Sequence, residues 1–199
     1  MDLVLASNNK GKLAELQALF APLDLRLVAQ GELGVPEAEE PYRTFVENAL
    51  TKARNAARHT GLAAVADDAG LCVDAFGGLP GVDTAYYATQ FGYAKGDDNN
   101  VRALLEQMRG VANRRAALVS TLVAVRSPED PEPLIAVGRA VGRITEAPAG
   151  EGGFGFDPVM WIEAFGKTFA ELPAEVKNAN SHRGQAAREM LRLMRERWF

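Results

Sequence analysis

The sequence predicts an α/β protein built on a mixed β-sheet with flanking helices. Three observations carry that reading. Short apolar runs alternate with amphipathic helical runs over the first third of the chain. Two long β-rich runs then follow one another between residues 116 and 145, and an amphipathic helix closes the pattern. At 199 residues, the length suits one large domain or two lobes sharing a core.

In chain order, Met1-Asp2 leads into Leu3-Val4-Leu5-Ala6, an apolar run that ends in polar and glycine residues and reads as a buried strand. From Lys10 to Phe20, Leu13, Leu16, Leu19 and Phe20 keep helical spacing, and Pro22 follows the stop. Leu25 to Val28 reads as a second strand, and Gly31 to Tyr42, with Pro36, Pro41 and the acids Glu37, Glu39 and Glu40, as a loop. Thr44-Phe45-Val46-Glu47 is a capping box opening a helix that runs to about His59, with Gly61 at its end. A strand over Leu62 to Ala66 is expected to stop at Asp67-Asp68. Gly77 to Gly81 reads as a loop, and Asp97 or Asp98 is expected to cap a helix carrying Val101, Leu104, Leu105 and Met108. Ala116 to Arg126 and Leu134 to Thr145, joined by the proline-rich Ser127 to Pro133, predict an antiparallel hairpin. Val159 to Ile162 adds a short strand. The last helix begins after Ser181 and puts Ala187, Leu191, Met194 and Trp198 on one stripe.

Composition excludes several classes. With 47% hydrophobic and 24% charged residues, the chain has the make-up of a globular protein in water. A net charge of −4 without a basic arm argues against nucleic acid as a partner. The longest apolar stretch, Ala116 to Val125, is too short for a bilayer and carries Ser120 and Thr121, so no membrane association is expected. A lone cysteine, Cys72, and a start with no basic n-region fit a cytoplasmic protein without a signal peptide.

Five segments carry candidate chemistry. Ser7-Asn8-Asn9-Lys10-Gly11-Lys12 joins a strand to a helix, where backbone N–H groups and the helix dipole favour an anion; a solvated cap with surface lysines is the plainer alternative. It is not a Walker A loop, because the G-x-x-x-x-G-K-[ST] pattern is absent. Asp67-Asp68 places two carboxylates on opposite faces of a strand end, one for a cleft and one for the interior, and Mg²⁺ takes one or two carboxylates with water and phosphate oxygens. Glu39 and Glu40 offer a second carboxylate; a turn acid beside a helix cap is the alternative. Gly150 to Gly155 matches G-x-G-x-x-G, but Asp157 precedes Pro158, so the segment does not open a helix. What is left is a flexible loop in which Phe154 or Phe156 stacks on a base, or in which both rings belong to the core. Lys177, Ser181, His182 and Arg183 lie at the mouth of the last helix; Arg183 in a first turn opposes the dipole and calls for an anionic or carbonyl partner. Asn48 and Lys52 share a helical face, either solvated or facing a cleft.

Taken together, SNNKGK, TFVENALTKA, ADDAGL, GGLPGV, GEGGFGFDP and KNANSHRGQA, in this order and spacing, resemble the inosine triphosphate pyrophosphatase family over essentially the whole chain. The resemblance implies an elongated mixed α/β fold with two lobes around a central cleft, dependence on Mg²⁺, a homodimer, and hydrolysis of deaminated purine nucleoside triphosphates (ITP, dITP, XTP) to monophosphate and pyrophosphate. By position, Ser7, Asn8, Asn9, Lys10, Gly11 and Lys12 resemble the phosphate-binding loop. Asp68 resembles the proton acceptor and metal carboxylate, with Glu39 beside it at the metal. Phe154, Gly155, Phe156 and Asp157 resemble the base-binding loop, and Lys177, His182 and Arg183 the remaining nucleotide contacts. Three positions depart from the family pattern. Ala69 stands where the serine of ADDSG is usual, so that one hydroxyl contact to substrate or metal water is lost, Thr84-Ala85-Tyr86-Tyr87 lacks the arginine of S-A-R-Y, and Phe156 replaces the tyrosine of FGYD. A related pyrophosphatase for modified pyrimidine or methylated nucleotides, and a nucleotide-binding module without turnover, are the competing readings.

Overall fold

The structure is a computed structural model that describes residues 2–22 and 25–199; Met1, at the expected start of the first strand, lies outside the described residues. In chain order the elements are β1 (Asp2–Leu5), α1 (Lys10–Phe20), β2 (Arg26–Ala29), α2 (Phe45–Thr60), β3 (Ala63–Val73), α3 (Asp97–Gln107), β4 (Arg115–Val125), β5 (Leu134–Ile144), β6 (Met160–Ile162), β7 (Lys167–Thr168), α4 (Ala174–Asn180) and α5 (His182–Arg197). Short 3-10 segments join them, the longest being Gly81–Phe91.

The strands form one seven-stranded sheet in the order β2-β1-β3-β4-β5-β6-β7. β1 runs parallel to β2 and to β3, with α1 and α2 as the crossovers that parallel pairing requires. β5-β6 and β6-β7 are antiparallel. Ile144 at the end of β5 donates to Arg114 just before β4, so β4 and β5 form the expected antiparallel hairpin. The sheet is therefore mixed, as the sequence predicts.

Two compact units share the chain. One comprises Met1–Asp68, Ser120–Gly138 and His182–Phe199; the other comprises Ala69–Val119 and Arg139–Ser181. In the first, the alternation of β1 sorts two cores. Leu3 and Leu5 pack with Leu16, Phe20, Leu122, Met190 and Met194 of α1, β4 and α5. Val4 and Ala6 pack with Ala49, Ala53, Ala56 and Ala57, the small face of α2. Fully burying one such Leu is worth about 1.5–3 kcal/mol, so both faces of this part of the sheet are secured by helices. In the second unit, Leu71, Val73, Leu104, Met108, Leu118, Ile144, Phe156, Met160 and Phe169 form a single core.

Two sequence expectations are corrected, and one helix is added. β3 does not stop at Asp67-Asp68 but continues to Val73, because residues on both of its faces are buried and the acids find partners. The N-cap of α3 is Gly96, not Asp97 or Asp98; both acids lie inside the first turn. A separate helix, α4, precedes the last one, and Ser181 is the extended residue at its C-terminal end.

Candidate active site

β3 carries Asp67 and Asp68 in succession, so their side chains leave opposite faces of the strand. Both are buried, and both lie in the first unit. Their surroundings differ sharply.

Asp67 has a side chain with no exposed surface, closed in by donors. Its Oδ1 accepts from Ser120 Oγ at 2.5 Å. Its Oδ2 accepts from Arg183 Nη2 at 3.0 Å and Nε at 3.2 Å, and sits 3.0 Å from Lys12 Nζ. Arg183 Nη1 reaches on to Glu15 Oε2 at 2.6 Å. Burial alone would raise the pKa of Asp67, but Arg183, Lys12 and the Ser120 hydroxyl outweigh it and hold the carboxyl well below the usual range. For Arg183 burial works against the charge, while Asp67 and Glu15 overcome it and raise the pKa. For Lys12 burial dominates, and with Arg183 nearby it lowers the pKa despite Asp67.

Asp68 meets a sparser set. Its Oδ1 accepts from Lys52 Nζ at 2.9 Å, and the same ammonium donates to Glu40 Oε2 at 2.9 Å. Its Oδ2 is buried without a hydrogen-bond partner among the described residues. Burial pushes the Asp68 carboxyl up to about 6, against Lys52 and Lys12, because Lys52 is shared with Glu40. Burial would lower Lys52, but Asp68 and Glu40 together raise it. A carboxylate with one paired oxygen and one orphaned oxygen is suited to take a proton or a cation. That orphaned oxygen is the feature that fits Mg²⁺. Glu39 and Glu40 are both exposed on the loop before α2, and Glu40 is joined to Asp68 through Lys52. Among the described residues no group of three or more His, Cys, Asp or Glu side chains gathers as a ready cation cage, so substrate oxygens and water would complete the coordination.

The N-terminal loop lies in the same unit. Asn9 caps α1 by accepting from Lys12 N at 3.0 Å, and Ser7 Oγ accepts from Asn9 N at 3.2 Å. Asn8 Nδ2 donates to Glu37 Oε1 at 2.9 Å. The N–H groups of Lys10 and Gly11, like those of any first helical turn, lack intrahelical acceptors. Lys10 is exposed and Lys12 half-buried. The helix cap is thus real, and it leaves donors in front of α1. Asn48 clamps the incoming loop through Tyr42 N and O, and Lys52, one turn on, serves Asp68.

The second unit holds the Phe154–Asp157 loop. The segment does not open a helix but ends in a short 3-10 turn at Asp157–Val159. Asp157 Oδ2 accepts from Phe154 N at 2.9 Å and from Lys177 Nζ at 2.6 Å, with the Lys177 ammonium 5.0 Å from the Phe154 ring centre. Gly155 N donates to Asp97 Oδ2 at 2.8 Å. Phe154 is half-buried. Phe156 belongs to the core, which corrects its assignment as a stacking ring: its position is filled by packing against the second unit's interior. Arg183 is corrected likewise. The anion that its first-turn position demands comes from Asp67 and Glu15, and only 2% of its side chain is exposed, so its first-turn position no longer argues for a direct nucleotide contact. His182 is buried at the start of α5. Of the departures from the family pattern, Ala69 is half-buried on β3, Tyr86 is exposed with Lys95 Nζ 4.2 Å from its ring centre, and Thr84 accepts from Leu71 N and donates to Gly81 O.

Sequence reasoning missed Glu15, Ser120 and Asp97. Ser120 carried a usable signal, because a hydroxyl inside an apolar strand needs a partner. Glu15 carried none, being an acid on a helix with an ordinary surface pattern, and Asp97 carried only the signal of a helix cap.

The curated dITP/XTP pyrophosphatases of Paracidovorax citrulli and Albidiferax ferrireducens are each 77% identical to this chain over 199 residues, covering all of both chains. Among solved structures, a HAM1 protein from Coxiella burnetii matches with a TM-score of 0.90 and 40% identity, over 98% of this chain and 99% of that one. The Staphylococcus aureus Ham1 protein matches with a TM-score of 0.86 and 32% identity over the same shares. The family model of the Ham1 family matches residues 3–193, and the chain belongs to that family.

Proposed function

We propose that the chain hydrolyses the deaminated purine nucleoside triphosphates dITP, ITP and XTP to monophosphate and pyrophosphate. The names of its full-length relatives support the reaction. The observation that carries the site assignment is the unpartnered, buried Oδ2 of Asp68 beside the fully paired Asp67. Asp68 orients a water and takes its proton as the water oxygen bonds to the α-phosphorus and the bond from that phosphorus to the β-bridging oxygen breaks. Its pKa near 6 leaves it ionised yet basic enough near neutral pH. Lys12 and the N–H groups at the start of α1 hold phosphate oxygens, with Ser7, Asn8, Asn9, Lys10 and Gly11 shaping that loop. Mg²⁺ would be held by Asp68 with Glu39 or Glu40 as the second carboxylate, and would supply neutralisation of phosphate charge when bound.

Base recognition is assigned to the Phe154–Asp157 loop, with Phe154 as the stacking ring and Lys177 and Asp157 fixing its pose. Arg183 acts behind the phosphate side through the network on Asp67, and His182 adjoins it at the start of α5. A cytoplasmic homodimer belongs to the same proposal, supported by the resemblance alone. Incubation with Mg²⁺ and each of dITP, ITP, XTP, GTP and ATP, with both products quantified, tests the reading. Equimolar monophosphate and pyrophosphate from the first three, with ATP slow, is expected. Release of orthophosphate, or equal turnover of ATP, would overturn it.

A further inference from the structure

We infer that Asp97 is a positioning residue for base recognition, acting through the backbone of Gly155; the inference rests on the assignment of the base to the Phe154–Asp157 loop. Phe154 stands between two glycines at φ +70° and +61°, Gly153 and Gly155, so its peptide planes have little intrinsic stiffness. Two carboxylates remove that freedom. On one side Phe154 N donates to the buried Asp157 at 2.9 Å. On the other, Gly155 N donates to Asp97 Oδ2 at 2.8 Å, across 58 residues of chain. The ring is thereby fixed by one hydrogen bond before it and one after it.

Asp97 is able to serve as an anchor because its own helix is pinned. Three residues on, the buried Asn100 accepts from Ala88 N at 2.8 Å and donates to Ala85 O at 3.2 Å, tying α3 to the Gly81–Phe91 segment. The N-cap position belongs to Gly96, and the Oδ2 of the exposed Asp97, in the first turn behind it, accepts from the loop. The glycine side adds a reason for the backbone donor: a Cβ at Gly153 would run into the Asp157 carboxylate, so the loop cannot be stiffened there by a side chain. The tether on Gly155 replaces that missing stiffness.

The test compares Asp97→Ala, Asp97→Asn, Asp98→Ala and Phe154→Ala in ITP hydrolysis, with inhibition by pyrophosphate as the readout of the phosphate side. Asp97→Ala is expected to raise KM for ITP about 3- to 10-fold, the value of one hydrogen bond, with kcat and pyrophosphate inhibition unchanged. Asp97→Asn keeps an acceptor oxygen and is expected to restore at least half of the loss on a logarithmic scale. Asp98→Ala removes an equal first-turn charge without touching the loop and is expected to match the wild type. An unchanged KM in Asp97→Ala, a parallel change in Asp98→Ala, or a parallel loss of pyrophosphate binding would overturn the inference. A raised KM in Phe154→Ala beside an unchanged one in Asp97→Ala sinks the role of Asp97 alone; an unchanged KM in Phe154→Ala sinks the base-loop assignment and this inference with it.

Discussion

Asp67 and Asp68 are neighbours on one strand, chemically identical, and put to opposite uses. Around Asp67, Ser120, Lys12 and Arg183 fill both oxygens, and Glu15 balances the second cation. Around Asp68 one ammonium is divided between two carboxylates and one oxygen is left over. Burial acts on both; the number of cations decides the outcome. A saturated carboxylate is a structural joint, whereas an undersupplied one stores the capacity to bind a proton or a cation. Strand alternation alone produces the difference, by turning one acid toward α1 and α5 and its neighbour toward α2.

The comparison breaks most visibly in activity. Asp68→Asn is expected to lower kcat about 10²–10⁴-fold, with native far-UV circular dichroism; rates within tenfold of wild type would place the base elsewhere. The next effect is on stability. Asp67→Ala removes the shared carboxylate of the half-buried Lys12 and the buried Arg183, and chemical denaturation should show a loss of about 3–5 kcal/mol. A loss under 1 kcal/mol would mean that water already screens the network. Ser120→Ala removes one donor from the same carboxylate and should cost about 1–3 kcal/mol while KM stays unchanged.

The smallest effect is a pH dependence with a definite sign. The folded Asp68 carboxyl titrates near 6, above its ordinary value of 3.8, so the folded state binds the proton more tightly. That contribution to stability is fully present below about 3.8 and is lost as pH rises through about 6. In metal-free buffer Asp68→Asn should therefore gain on the wild type between pH 4 and pH 7, by on the order of 2 kcal/mol. Asp67 has the reverse sign: its depressed pKa stabilises the fold above the ordinary carboxylate range and that contribution fades as pH falls below it. A constant difference between Asp68→Asn and wild type over this window would contradict the assignment of burial as the dominant influence on Asp68.

Local signals made much of the fold legible. The leucine spacing and Pro22 bound α1, the Thr44–Glu47 box and Gly61 bound α2, and two β-rich runs around a proline-rich link announced the hairpin. The sequence cuts β3 short because adjacent acids read as a strand's end; only partners from α1, α2, β4 and α5 make that stretch buriable. α4 has seven residues and no apolar stripe, so periodicity does not reveal it. Within the candidate site, the alternation of Asp67 and Asp68 followed from strand geometry. The reassignment of Arg183 did not, because its partners at positions 15 and 67 are far away in sequence and nothing local points to them. Phe156 shows the same limit: one ring of a glycine-flanked pair goes to the core, and only the packing of the second unit tells which.

The most direct test of the division between the two acids is a titration of their side-chain carboxyl ¹³C shifts by NMR in metal-free buffer. The account predicts that Asp68 titrates near pH 6 and that Asp67 stays ionised throughout the range in which the protein is folded. Two ordinary titrations near the unperturbed carboxylate value, or a raised Asp67 beside a depressed Asp68, would contradict it.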